Sequence, residues 1–314
     1  MQSQAVSGLE IVRAQSDDDL EAMIDVRTAA DHDRPPPRIE NLRHNLAAEE
    51  GLVFLVARLA GEPVACGFMY PGLPEFAEAH LVVKPDARRQ GIGCAVLTEI
   101  GAEAQVAEKQ ELQGEVREND KESRAFFERR GYRVVGAEKA VALDLETVEV
   151  PVPSPPEGIR IVTRAERPDL TEALYPVGAD ASEDIPGQPM RITYEQWRVM
   201  DIDRPTREAR FFFIAVAGDE PVGYASLDNL GRDAFHGLTA VARAWRRRGI
   251  ATALKQTQIA AAKRAGFRRL VTGSEERNAP MRTLNEKLGY RPEPSLSTVV
   301  VRGPADVRSP HGDD

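Results

Sequence analysis

The residues best placed for chemistry are Arg88-Arg89-Gln90-Gly91-Ile92-Gly93 and Arg246-Arg247-Arg248-Gly249-Ile250-Ala251, which share one spacing 158 residues apart. A glycine turn that feeds directly into a helix leaves the first helical amides without partners. With the positive end of the helix dipole behind them, such amides hold phosphate groups. Gly91 and Gly93 carry no side chain to keep a pyrophosphate from the backbone, and Ala251 is nearly as small. Arg88 and Arg246 open the turns and add positive charge. The spacing Arg-x-x-Gly-x-Gly/Ala is neither the nucleotide P-loop nor the dinucleotide fingerprint, both of which need other glycine positions.

The same offset of 158 organises much of the chain. It carries Glu62-Pro63-Val64 onto Glu220-Pro221-Val222, Val83 onto Val241, and Gly131-Tyr132 onto Gly289-Tyr290. Two copies of one domain are the simplest source of such a pattern. Each copy has an opening strand (Leu9 to Arg13; Ile159 to Val162) and a helical region (Asp17 to Ala29; Pro168 to Leu174). Paired strands follow, rich in β-branched and aromatic residues: Val53 to Ala57 with Val64 to Met69, and Phe211 to Val216 with Val222 to Leu227. A further strand (Ala79 to Val83; Phe235 to Val241) runs into the arginine-glycine turn. The helix it opens repeats apolar residues at Ala95, Val96, Ile100 and Ala104, and less regularly at Leu254, Ile259 and Ala262. A short strand (Glu111 to Val116; Arg269 to Thr272), a second helix ending at Gly131 or Gly289, and a closing strand complete each copy.

The opening strands are related by 150 residues rather than 158, so the second copy gains length after them. The surplus falls in Asp180 to Pro205, a loop suited either to substrate contacts or to plain surface. Strands with helices between them predict a mixed α/β layer. The proline-rich segment Pro151 to Gly158 reads as a linker, because its prolines lack amide donors and favour extended backbone. The expected domains are therefore residues 1–150, a linker at 151–158, a second domain at 159–302, and a disordered tail at 303–314.

Composition sets the broad class. Hydrophobic residues make up 42% and charged residues 29% of 314 positions, which describes a soluble globular protein. A net charge of −9 argues against general nucleic-acid binding and is compatible with a cationic substrate. No apolar run approaches the roughly 20 residues that cross a bilayer, so no membrane partner is expected. Two cysteines, Cys66 and Cys94, exclude a disulfide framework and fit a reducing cytoplasm. No secretory signal is visible at Met1-Gln2-Ser3-Gln4.

The doubled glycine motif resembles the pyrophosphate-binding segment of the GNAT superfamily, the acyl-CoA-dependent N-acetyltransferases. That resemblance implies two tandem domains in the manner of mycothiol-synthase-like enzymes, each a mixed, mostly antiparallel sheet flanked by helices, with two strands splayed apart for the pantetheine arm. It implies acetyl-CoA as cofactor and no metal. The diphosphate would lie on the amides of residues 89–94 (Arg89, Gln90, Gly91, Ile92, Gly93, Cys94) beside Arg88. In the second copy it would lie on residues 247–252 (Arg247, Arg248, Gly249, Ile250, Ala251, Thr252) beside Arg246. Backbone groups of Val83 or Val241 would pair with pantetheine.

Tandem members commonly keep one half catalytic, and the second half is the better candidate. Asn278-Ala279-Pro280-Met281-Arg282-Thr283-Leu284-Asn285-Glu286-Lys287-Leu288-Gly289-Tyr290 is similar to one branch of the superfamily, in which Asn278 caps the helix and contacts the cofactor. The first copy has Asp120 there, an added negative charge beside a polyanion. Many members protonate the leaving thiolate with a tyrosine four residues before the helix-ending glycine. Counting back gives Phe127 and Asn285, neither of which is an acid; Asn285 can hold the thioester. His236 lies where the resemblance often places a base, and is either that base or a sheet histidine with a backbone partner. Its counterpart in the first half is Glu78. Glu183, Asp184 and Glu195 in the enlarged loop are alternative bases, ammonium anchors or solvated surface. Cys94 needs no covalent role.

The expected reaction is acetyl transfer from acetyl-CoA to a primary amine of a small molecule by direct attack. A non-catalytic acyl-CoA sensor and a protein N-terminal or ribosome-associated acetyltransferase are the alternatives. The duplicated halves form a pseudo-dimer, so the molecule is expected to be a monomer or a homodimer.

Overall fold

A computed structural model describes residues 6–31, 36–72, 75–185 and 190–307. It divides into two compact units, residues 1–137 with 298–314 and residues 138–297.

Unit 1 begins with β1 (Leu9–Arg13), α1 (Asp17–Ala30) and α2 (Ile39–Ala48). Ser16 starts α1 through a reciprocal cap: its Oγ accepts the Asp19 amide at 3.2 Å, and the Asp19 carboxylate accepts the Ser16 amide at 3.3 Å. Next come β2 (Val53–Leu59), β3 (Glu62–Tyr70), β4 (Ala77–Val83), α3 (Ile92–Val106), β5 (Glu111–Arg117), α4 (Lys121–Glu128) and β6 (Arg133–Asp144). The first four strands pair antiparallel in order, and β4 lies parallel to β5. Alternation along β2 sends Leu55 and Ala57 to the α3 side and Phe54 and Val56 to the α1 side, so both faces of the sheet are covered.

Unit 2 repeats the plan with β7 (Ile159–Thr163), α5 (Tyr175–Glu183), α6 (Tyr194–Trp197), β8 (Phe212–Ala217), β9 (Glu220–Leu230), β10 (Asp233–Val241), α7 (Ile250–Arg264), β11 (Arg269–Glu275), α8 (Ala279–Lys287) and β12 (Arg291–Pro292), and the chain then enters β13 (Thr298–Pro304). Along β8, Phe213 and Ala215 pack toward α7, while Phe212, Ile214 and Val216 pack with Trp197 and Tyr224 under α5 and α6. Beside Trp197 and Tyr224, the buried Arg207 holds Asp228 at 2.6 Å and Asp201 at 3.2 Å.

The compact units depart from the expected domains at the closing strands. Residues 138–144 of β6 pair antiparallel with β11 and so belong to unit 2, while β13 pairs antiparallel with β5 and belongs to unit 1. The boundary thus falls inside β6 rather than at the proline-rich segment, which has no regular structure and leans on unit 2, the Ser154 amide reaching Gln256 Oε1 at 3.2 Å. The tail expected to be disordered from residue 303 is ordered at its start. Gly303 and Pro304 are strand, and Ala305 is buried. The enlarged segment from Asp180 is largely helical, comprising the end of α5, α6 and a π-turn at Arg198–Ile202, with Trp197 fully buried. Residues 186–189 of that segment and 308–314 of the tail lie outside the described residues.

Candidate active site

The two arginine-glycine turns have the same shape. In each, a 3-10 turn after the strand leads through a non-glycine residue in the left-handed region (Arg89, φ 64°; Arg247, φ 60°) to a left-handed glycine that caps the helix (Gly91, φ 84°; Gly249, φ 89°). A left-handed arginine costs on the order of 1–3 kcal/mol, and such strain clusters at functional sites. Side chains of the turn hold its own carbonyls: Arg246 Nε donates to Val241 O at 2.9 Å and Arg88 Nε to Val83 O at 3.3 Å. Arg248 donates to Ala244 O at 3.1 Å and Gln90 to Asp86 O at 3.2 Å. No side chain caps either helix, and the first intrahelical bonds come from Ala95 and Ala253. The amides of Ile92, Gly93 and Cys94, and of Ile250, Ala251 and Thr252, are therefore free for an anion.

Beyond each turn the sheet opens. Strand β10 pairs in parallel with β11 over Asp233, Ala234 and Phe235 only, and β4 pairs with β5 over Ala77 and Glu78 only. The splay in unit 1 forms a cleft lined by Leu97, Ile100, Phe127 and Tyr132 among others. In unit 2 the register of β10 on β9 also slips between His236 and Thr239, whereas β4 runs unbroken along β3. A bulge frees backbone groups from the ladder, here beside the opening. Gly237 sits in it because a Cβ would lie 2.2 Å from Ser226 Oγ and 2.7 Å from the Arg207 guanidinium. A lone glycine within a strand pattern signals such a bulge, and the sequence reading passed over it.

By the 158-residue offset, the lining residues of unit 1 correspond to Lys255, Gln258, Asn285 and Tyr290. All four are buried in unit 2. Gln258 Nε2 donates to Ser226 O at 2.8 Å, and a carbonyl can only accept, so Gln258 Oε1 faces His236 Nδ1 at 3.1 Å. His236 therefore carries its proton on Nδ1, and its Nε2 accepts from the Tyr290 hydroxyl at 2.6 Å. Desolvation, with the charge of Lys255 second, holds the His236 proton affinity well below its usual value. This arrangement disfavours His236 as a free base, since its lone pair is taken and it resists protonation. Burial alone pulls the Lys255 ammonium down to about 7. Asn285 is 1% exposed, and neither its Nδ2 nor its Oδ1 has a hydrogen-bond partner. The Asn278 side chain caps α8 by accepting the Met281 amide at 3.3 Å, and Asp120 caps α4 by accepting the Ser123 amide at 2.9 Å.

The acidic residues of the enlarged segment sit elsewhere. Glu183 and Asp184 lie against the turn, with Asp184 2.6 Å from Arg246 and 3.1 Å from Arg243, and Glu183 3.4 Å from Arg243 and Arg191. Glu183 is thus tied to the anion end and not to the His236 cluster. Glu195 is exposed on α6. Cys94 is half-buried, with Arg130 reaching its Sγ at 2.6 Å.

A strand running through a strained glycine turn into a bare helix start, beside a splayed parallel pair, is thus present twice and suits an acyltransferase fold. Residues 50–134 match the acetyltransferase (GNAT) domain and residues 174–290 the acetyltransferase (GNAT) family, together more than half of the chain. Among solved structures, the fold is similar to a GCN5-related N-acetyltransferase from Sphaerobacter thermophilus, at 24% identity, TM-score 0.72, covering 95% of this chain and 96% of that one. It is also similar to a tandem GNAT protein from the clavulanic acid biosynthesis pathway (24%, TM-score 0.74, 95% and 98%) and to a putative acetyltransferase from Pyrococcus horikoshii (15%, 0.64, 98% and 95%). No curated protein matches the chain significantly. The chain belongs to the GNAT acetyltransferases and is an acyltransferase with two such domains in tandem.

Proposed function

We propose that unit 2 transfers an acetyl group from acetyl-CoA to the primary amine of a small molecule. The residues present suit this donor: free helical amides and three arginines for the diphosphate, and an open strand pair for the pantetheine arm. Bound acetyl-CoA supplies an acyl group already activated as a thioester. The amides of Arg247 to Thr252 bind its diphosphate, with Arg246, Arg247 and Arg248 adding charge. Val241 offers backbone to the pantetheine, and Asn278, the cap of α8, is a further contact for the cofactor in this reading. The observation that carries the proposal is Asn285, whose buried amide lacks partners at the position where unit 1 has the cleft-lining Phe127. A buried unsatisfied amide costs about 1–3 kcal/mol, a cost that a ligand in the cleft removes.

His236 serves in this reading as a positioning residue that fixes the Tyr290 hydroxyl, and Glu183 with Asp184 steadies the arginines. Unit 1 keeps the cradle of Val83 and Arg88 to Cys94 but has Phe127 and an unbroken β4. It fits acyl-CoA binding without turnover. The test is release of CoA from acetyl-CoA in the presence of small primary amines, with peptide N-termini as the competing acceptors. Turnover with small amines is expected. Transfer confined to peptides would overturn the acceptor, and no transfer to either would leave the sensor reading.

A further inference from the structure

We infer that Lys255 is the residue whose ammonium holds the departing sulfur as a thiolate in unit 2, a task for which Asn285 has no charge to offer. The inference rests on acetyl-CoA being the donor. Lys255 stands on the first turns of α7, six residues beyond the left-handed Gly249 that opens the anion cradle. Its counterpart Leu97 lines the splayed cleft of unit 1, as do Ile100, Phe127 and Tyr132, the counterparts of Gln258, Asn285 and Tyr290.

Lys255 is 1% exposed, and its ammonium forms no ion pair or hydrogen bond among the described residues. From β10 it faces His236, and from the segment after α8 it lies 5.8 Å from the Tyr290 ring centroid. Strands β8 and β9 turn Phe213, Ala215, Ala225 and Leu227 toward the same core. A buried cation of this kind is stabilised only by an anion brought to it. Burial weakens its hold on the proton, and a thiolate set against it is a partner that restores the charge.

In the proposed step, the acceptor nitrogen bonds to the acyl carbon and the carbon–sulfur bond breaks, its electron pair staying on sulfur. Lys255 Nζ keeps its proton and pairs with that thiolate. The proton lost by the acceptor amine passes to solvent, from which the thiolate takes one as CoA leaves, and the balance closes. His236 and Tyr290 keep the ring beneath Nζ in place.

The test is the ultraviolet absorbance of the thiolate when free CoA binds at pH 7, with dethio-CoA, which lacks the sulfur, as the control. An alkyl thiol ordinarily ionises near about pH 8.5, so an unassisted bound thiol stays protonated at pH 7. Beside Lys255 the bound thiol is expected to be ionised, giving a thiolate band absent with dethio-CoA. Lys255→Met, a near-isostere that removes the buried charge, is expected to bind CoA without the band. It should also lower kcat roughly 10²-fold or more with KM for acetyl-CoA unchanged, and flatten the pH profile around neutrality. A CoA-bound wild-type protein with no band, or an equal band in Lys255→Met, would overturn the inference while leaving the donor assignment standing. Absence of CoA binding would remove both. An acetyl adduct recovered on Lys255 would also overturn it, making the residue an acceptor rather than a counter-ion.

Discussion

The two units carry the same turn on the same scaffold and differ in what fills the space behind it. Unit 1 places the apolar Leu97, Ile100 and Phe127 in its cleft, beside His80, Gln113 and Glu115 from its strands. Unit 2 sets Lys255, Gln258 and Asn285 at the matching positions and breaks β10 with a bulge. Holding a diphosphate needs only backbone geometry, which duplication preserves easily. Acid–base chemistry needs buried polar side chains, which are costly and persist where a ligand repays them. The comparison therefore teaches that binding and turnover can separate between copies of one fold.

The strongest way to break that comparison is at the turns. Gly249→Glu puts a carboxylate where phosphate is expected and a Cβ on a backbone at φ 89°. Turnover should fall by roughly 10²–10³-fold or more, with acetyl-CoA binding to unit 2 lost in calorimetry. Gly91→Glu, at φ 84°, should leave turnover near wild type. Equal loss from both variants would show that the units work together.

Stability sharpens the contrast next. Lys255 is lowered from 10.5 to about 7, so between those pH values the unfolded chain binds more protons than the folded one. Wild-type stability therefore rises with pH across that window. Lys255→Met should lack the rise and gain on the order of 5 kcal/mol at and below pH 7, measured by urea unfolding across pH. Leu97→Met, in unit 1, should show no such pH dependence. His236 adds an acid limb: its folded affinity lies well below 6.5, so stability falls as pH drops through 6.5.

These contrasts also show how far the amino-acid sequence could be read. The turns, the caps at Asn278 and Asp120 and most strands follow from local rules, because glycine conformation, capping and alternation are short-range. The exchange of closing strands does not. Val299, Val300 and Val301 carry no mark of whether they pair with β5 or β11, since that choice is made by long-range packing. The polar cluster of unit 2 was visible as an irregularity. Lys255 and Gln258 interrupt the apolar face of α7 where Leu97 and Ile100 keep it in α3, and carrying the offset of 158 into the helices would have found them. His236 drew attention by residue type, yet only its contacts with Gln258 and Tyr290 reveal that its lone pair is taken.

Asn285 offers a milder test. Replacing it with leucine removes two buried amide atoms that have no partners, and should raise stability by about 1–3 kcal/mol while lowering turnover. Phe127→Leu in unit 1 should instead lose stability, because it trims an aromatic side chain packed edge-on against Phe126 and Tyr132. Opposite signs at corresponding positions would mark Asn285 as retained for function.

The smallest expected effect lies at the mouth of unit 2. Asp184 sits between Arg243 and Arg246 and holds charges that a diphosphate would otherwise use, and those arginines in turn hold its carboxyl below the usual range. All three side chains reach solvent, so each pair is worth about 0.2–1 kcal/mol and is screened by salt. Asp184→Asn should tighten acetyl-CoA binding a few-fold at low ionic strength and leave it unchanged in high salt. A loss of affinity instead would mean that Asp184 orients Arg246 toward the ligand rather than competing for it. The carboxylate would then belong to the cradle itself, a second respect in which the two turns differ.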